Sequence, residues 1–116
     1  MSYRCLVPML QITEKLIICF NYMKDIYKYS NISLAQKKAT KYIGKKLYLS
    51  TRKDKKYMVQ NPSGKWVHFG AMGYEDYTKH KDDNRRQRYL ERATKIKGDW
   101  KDDKYSPNNL SIHILW

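Results

Sequence analysis

The sequence predicts a small α+β domain: a short three-stranded antiparallel sheet packed with two or three helices, preceded by an N-terminal helical arm. Three observations carry the prediction. Residues 47–70 hold three short runs rich in β-branched and aromatic residues, parted by a charged tip and by the turn signal Asn61-Pro62-Ser63-Gly64. Apolar residues recur at three- and four-residue steps on both sides of that block. The 116 residues are 41% hydrophobic and 14% aromatic, enough for one modest core and too rich in rings for a disordered polyelectrolyte.

Residues 1–32 read as an amphipathic arm. Ile12, Leu16, Cys19, Phe20, Met23 and Tyr27 fall on one helical face. Leu16, Phe20 and Met23 are its candidate docking residues. Its apolar runs are too broken for a signal peptide and too short for a span of about twenty residues, so neither secretion nor stable membrane insertion is expected. Cys5 and Cys19 match neither a zinc spacing nor a disulfide framework and read as reduced thiols.

Residues 33–116 read as the basic α+β domain. Ser33 is expected to cap a helix carrying Leu34, Ala35, Ala39 and Ile43, with Gly44 ending it in the left-handed conformation. Strands follow over 47–51, 57–60 and 65–70. In the last of these Trp66, His68 and Gly70 share one face and Val67 and Phe69 the other. Asp82 or Asp83 is expected to cap a longer helix reaching about Lys97, ended by Gly98. A Ser106-Pro107 turn precedes Leu110, Ile112, Ile114, Leu115 and Trp116; Trp116 is expected to dock on the core or on a neighbouring chain.

The net charge is +13, and it is unevenly placed. Residues 37–57 hold nine basic side chains and one acidic, whereas residues 58–78 hold one basic and two acidic. Such a surplus recruits polyanions: nucleic acid, an anionic membrane surface or an acidic protein lattice. Two groups of cations are the candidate binding residues. Lys45, Lys46, Arg52, Lys53, Lys55 and Lys56 surround the first hairpin tip. Arg85, Arg88, Arg92 and Lys95 line one face of the later helix, where arginine forks match phosphate geometry. A solvated face supported by a Glu91–Lys95 pair gives the same pattern. Tyr48, Tyr57 and Trp66 would offer bases a stacking platform, although cross-strand pairs that hold a sheet together are commoner. His68 and His80 with Asp76 and Asn84 would form a metal-dependent nuclease centre, but their spacing matches no metal motif. There is no glycine-rich phosphate loop and no nucleophile elbow. No catalytic residue, metal or cofactor is therefore expected.

One stretch adds a resemblance. Tyr57-x-Val59-x-x-Pro62-Ser63-Gly64-Lys65-x-Val67-His68-Phe69-Gly70 is followed by Gly73-Tyr74-Glu75-Asp76-Tyr77-Thr78-x-His80-Lys81-Asp82, by Arg85, Arg86, Tyr89 and Arg92, and by Ser106-Pro107-Asn108-Asn109-Leu110-Ser111 and Leu115-Trp116. Over about residues 45–116 this resembles a family of small basic virion-associated proteins of nucleocytoplasmic large DNA viruses, the giant viruses and their relatives. The resemblance implies a non-enzymatic structural protein, a minor capsid or cement-like component that binds acidic surfaces of capsid or other virion proteins. It implies a place in the virion, and in the host cytoplasm or viral factory during assembly. The alternative is a DNA- or RNA-binding protein of the virion core, with a nuclease a distant third.

Overall fold

The computed structural model describes residues 26–116; Leu16, Phe20 and Met23 of the arm lie outside them. The chain runs through α1 (Ile32–Ile43), β1 (Tyr48–Leu49), β2 (Lys55–Gln60), β3 (Trp66–Ala71), α2 (Tyr77–His80) and α3 (Asp83–Ala93). A 3-10 turn (Asp99–Asp102), α4 (Pro107–Leu110) and a single π turn (Ser111–Leu115) follow. The sheet is antiparallel in the order β1-β2-β3, so the architecture is α+β as the sequence predicts.

The sheet follows from its turn chemistry and alternation. The Asn61 side chain accepts from the Ser63 and Lys65 amides, and the Asn61 amide donates to the Lys65 carbonyl, closing the β2–β3 hairpin. Register pairs Tyr57 with Phe69 and Val59 with Val67, placing them on the face that meets the helices. Ile26, Ala35, Ala39, Leu110, Ile114 and Leu115 complete that core. Ala35 and Ala39 are one turn apart, and their small side chains let α1 approach the π turn closely. The three rings divide between the two faces of the sheet, as the commoner reading of cross-strand pairs allows. Tyr48 and Trp66 meet edge-on at 5.5 Å on the far face of the sheet, whereas alternation turns Tyr57 inward.

Two helix boundaries differ from expectation. Asn31, not Ser33, caps α1: its side chain accepts from the Leu34 amide at 3.0 Å, which leaves Ser33 inside the first turn. Gly44 closes the same helix at φ 65 as expected. Asp82 caps α3, but that helix stops at Ala93 rather than Lys97. Asn108 reaches back from α4 to donate to the Ala93 carbonyl, and beyond it Ile96 is exposed and has no core to join. Ile26 and Ser30, on the arm side of the expected boundary at residue 32, are both fully buried in the body.

Gly70 fixes how closely the C-terminal segment meets the sheet. It adopts φ +84, and a Cβ there would lie 2.8 Å from a Leu115 methyl and 3.3 Å from the Lys56 Cβ. Only glycine permits both the conformation and the approach.

Candidate functional site

The hairpin-tip cations divide once placed in the fold. Lys56 is not at the tip. β2 begins at Lys55, so Lys56 belongs to the ladder, and it is buried to 2% exposure. Its ammonium donates to the Tyr74 carbonyl at 2.6 Å and to Asp76 at 3.1 Å, with Asp76 equally buried. Burial holds the Lys56 pKa below the usual lysine range, with Asp76 opposing that shift.

Asp76 also caps α2. Its other oxygen accepts from the Thr78 amide at 3.0 Å and from the Thr78 hydroxyl. Since Thr78 spends its proton there, Ser30 must donate to Thr78 across 3.2 Å, and Tyr57 must donate to Ser30 across 2.6 Å. A proton-directed chain Tyr57–Ser30–Thr78–Asp76 thus ties β2, α2 and the segment before α1 to the Lys56 ammonium.

The remaining cations of this group stay near the surface. Arg52 folds onto Asp54 through two nitrogens at 3.2 and 3.0 Å. Lys53 is exposed and Lys55 half-buried. Lys45 donates to the Gln60 carbonyl at 2.8 Å and lies over the Tyr105 ring. Lys46 lies over the Tyr48 ring at 5.6 Å.

Above the Lys56–Asp76 pair opens a cleft of about 350 Å³. Its floor is Lys56, Gly70 and Asp76; Tyr74 and Glu75 form one lip and α3 the other, with Ser111, Leu115 and Trp116 closing the end. Arg85, Arg88 and Arg92 of α3 all line it, as their spacing of three and four residues requires. The helix is aimed by Asp82, whose side chain accepts from the Asn84 and Arg85 amides; those bonds hold its carboxyl below the usual aspartate range. Only Ala93 of α3 is buried, so the helix rides on the body as a rim.

The three arginines are unequal. Arg85 meets Glu75 at 3.5 Å, with both side chains about 40% exposed. Among the described residues neither Arg88 nor Arg92 has a carboxylate within ion-pair distance. Lys95 lies past the end of α3 and lines a shallower depression with Arg88, Glu91 and Arg92 rather than the cleft; no Glu91–Lys95 ion pair forms. Trp116 docks within the chain: its ring stacks on Tyr89 at 4.1 Å and 7°, and its carbonyl accepts from Arg86 at 2.7 Å. Tyr74 stands 73% exposed at the lip. Burial pushes the Tyr89 phenol above its ordinary pKa.

The histidines lie apart, each engaged by its own neighbours. His68 Nδ1 is hydrogen-bonded to the Ser50 hydroxyl at 2.7 Å, and the same hydroxyl accepts from the Arg52 amide. His80 Nδ1 accepts from the Asp82 amide at 2.9 Å, so its buried Nε2 carries the proton against the Trp116 ring, without a hydrogen-bond partner. Asp76 is engaged by Lys56 and Thr78. Among the described residues no group of three or more His, Cys, Asp or Glu side chains is placed to hold a metal ion. Among the same residues no helix is long and apolar enough to cross a membrane.

Sequence reasoning found the arginine row from its periodicity but missed Gly70, Tyr74, Glu75 and Ser111, and named Asp76 only beside the histidines. The one local signal was Asp76-x-Thr78, an acidic cap with a hydroxyl two residues on.

Residues 45–93 match the model of a family of unknown function (DUF5754). The matched stretch carries the sheet, the Lys56–Asp76 pair and the arginine row, and stops short of Ser111, Leu115 and Trp116. No curated protein and no solved structure matches the chain.

Proposed function

We propose that the protein is a non-enzymatic nucleic-acid-binding module that engages phosphates through the arginine row of α3. The observation that carries this reading is the pair Arg88 and Arg92, standing in an open cleft with no carboxylate within ion-pair distance among the described residues. A guanidinium matches a phosphate's oxygens in a bidentate fork, and a concave cleft suits a projecting phosphate better than a flat acidic protein face. Tyr74 and Trp116 supply rings beside the cations, the combination that single strands use. The resemblance noted above implies a virion setting for such a module.

The test is binding of single- and double-stranded DNA as a function of salt. Neutralising two or three phosphates gives a slope of log K against log salt of about −1.8 to −2.7 on duplex and about −1.4 to −2.1 on single strands. The Arg88→Ala/Arg92→Ala variant should flatten that slope by about 2 while remaining folded. Unchanged affinity and slope in this variant would overturn the reading.

A second reading, a cement-like virion component bound to acidic protein surfaces, is favoured by the far face of the sheet. There Trp66 is 39% exposed, edge-on to Tyr48, with Lys46 over the Tyr48 ring. Exposed tyrosine and tryptophan side chains are enriched at protein contacts, and the lysine supplies the charge that an acidic partner would meet. Recovery of the protein with washed capsid shells, lost in Trp66→Ala and retained in Arg88→Ala/Arg92→Ala, would favour it over the first.

A further inference from the structure

We propose that the cleft receives a nucleoside 5′-phosphate, free or at the 5′ end of a strand, and that Glu75 is the internal counter-ion which this phosphate displaces from Arg85. The inference rests on the nucleic-acid reading and narrows it to one chemical group.

Size is the first argument. About 350 Å³ is at the lower end of the range for ligand pockets, room for one nucleotide and not for a duplex. Charge is the second. A phosphomonoester carries about −1.5 to −2 at neutral pH, whereas each internal diester of a strand carries a single charge. Two guanidiniums with no carboxylate partner among the described residues, and a third that meets Glu75, answer the monoester better. The lining is the third. Leu115, Trp116 and Tyr74 give the cleft an apolar and aromatic wall on which a base can stack, which a site for bare phosphate does not need.

Glu75 is built to yield. Its neighbours on either side are fixed: Lys56 holds the Tyr74 carbonyl at 2.6 Å, and Asp76 is buried in the ion pair. The backbone at Glu75 is thereby anchored, and its half-exposed side chain alone can swing. Its carboxylate meets Arg85 at 3.5 Å, long for an ion pair and open to water, so displacing it costs little. The Glu75 carboxylate thus takes the place at Arg85 that an oxygen of the phosphate would occupy.

The experiment is fluorescence anisotropy with a 3′-labelled single-stranded oligonucleotide, prepared with a 5′-phosphate and with a 5′-hydroxyl, at fixed salt. The 5′-phosphate form should bind about tenfold more tightly, as a charge-assisted contact predicts. Glu75→Gln should strengthen binding of that form about threefold and leave the 5′-hydroxyl form unchanged. Adenosine 5′-monophosphate that competes while adenosine and inorganic phosphate do not assigns the cleft to free nucleotides. A 5′-phosphate preference that the mononucleotide does not compete assigns it to strand ends. Equal binding of the two oligonucleotides, with the Arg88/Arg92 dependence intact, overturns this inference and leaves the nucleic-acid reading standing. Binding of neither overturns both. Weaker binding by Glu75→Gln overturns the role given to Glu75.

Discussion

Lys56 and Arg88 face the same cleft and have opposite fates. Lys56 is buried on its floor, with its ammonium shared between a carbonyl and a carboxylate that is itself fully hydrogen-bonded. Arg88 stands on the rim with no acidic partner among the described residues. The difference is not in the cations. It lies in where Asp76 is delivered: the loop after β3 brings one carboxylate beneath the sheet and spends it there. A floor whose charges are satisfied internally is a fixed platform, and a rim whose charges are not is free to take a ligand. Stability should reside in the first and binding in the second, and each prediction below breaks or sharpens that division.

The largest effect is expected at Asp76. Asp76→Ala leaves a buried ammonium unpaired, removes the cap of α2 and strips Thr78 of its acceptor. Loss of one partner of such a pair costs about 3–5 kcal/mol, a large share of the total stability of a domain of this size. Chemical denaturation measures it. The double variant Lys56→Met/Asp76→Asn removes both charges while keeping a cap oxygen, and should be markedly more stable than Asp76→Ala. Equal instability of the two would mean that the ion pair is not what matters at this position.

Gly70→Ala comes next. The new methyl meets Leu115 and Lys56 and is held at positive φ, a combination of overpacking and backbone strain of about 2–4 kcal/mol. Because Leu115 and Gly70 both line the cleft, this variant should also weaken binding, unlike a destabilising change elsewhere in the core. Thermal melts with binding measured below the transition separate the two effects.

The third effect is on pH. Burial is the leading cause that lowers the pKa of His68, His80 and His113 below 6.5. The unfolded chain then takes up protons before the folded one, so stability is complete above about pH 6.5 and is lost as pH falls through the folded values. His80 carries this into the site: protonating Nδ1 turns the acceptor of the Asp82 amide into a donor, at the residue that caps α3. The melting temperature should fall between pH 7 and pH 5, and His80→Gln should reduce that fall. An unchanged pH dependence would remove His80 from the account.

How much of this was legible in the sequence follows the range of the forces involved. The Asn61 turn, the Gly44 and Asp82 caps and the alternation of β3 are decided within a few residues, and each is where local chemistry puts it. The arginine row needed only helical periodicity. Lys56 was misread because its neighbours in sequence are charged and the carboxylate that claims it is twenty residues away. The end of α3 was misread because Asn108, fifteen residues on, supplies the partner for the Ala93 carbonyl. The cleft itself joins β2, the loop after β3, α3 and the C-terminal segment, and no local pattern encodes such a juxtaposition.

The smallest effect sets the rim of the cleft against the hairpin tip, the other cationic region that the sequence singled out. Arg52 already has both ends of its fork on Asp54, so a phosphate arriving there must compete with a carboxylate two residues away. Asp54 answers in kind: its hydrogen bond to Arg52 holds its pKa below the ordinary value. Arg52→Ala/Lys53→Ala removes as much formal charge as Arg88→Ala/Arg92→Ala, and neither should change stability by more than about 0.5 kcal/mol. If charge alone drives association, the two double variants should weaken nucleic-acid binding equally. If unsatisfied guanidiniums in a concave site drive it, the tip variant should lower the salt slope by less than about 1, half or less of the effect at α3. A larger loss at the tip would move the interface from the cleft to the hairpin, and with it the division between a fixed floor and a binding rim.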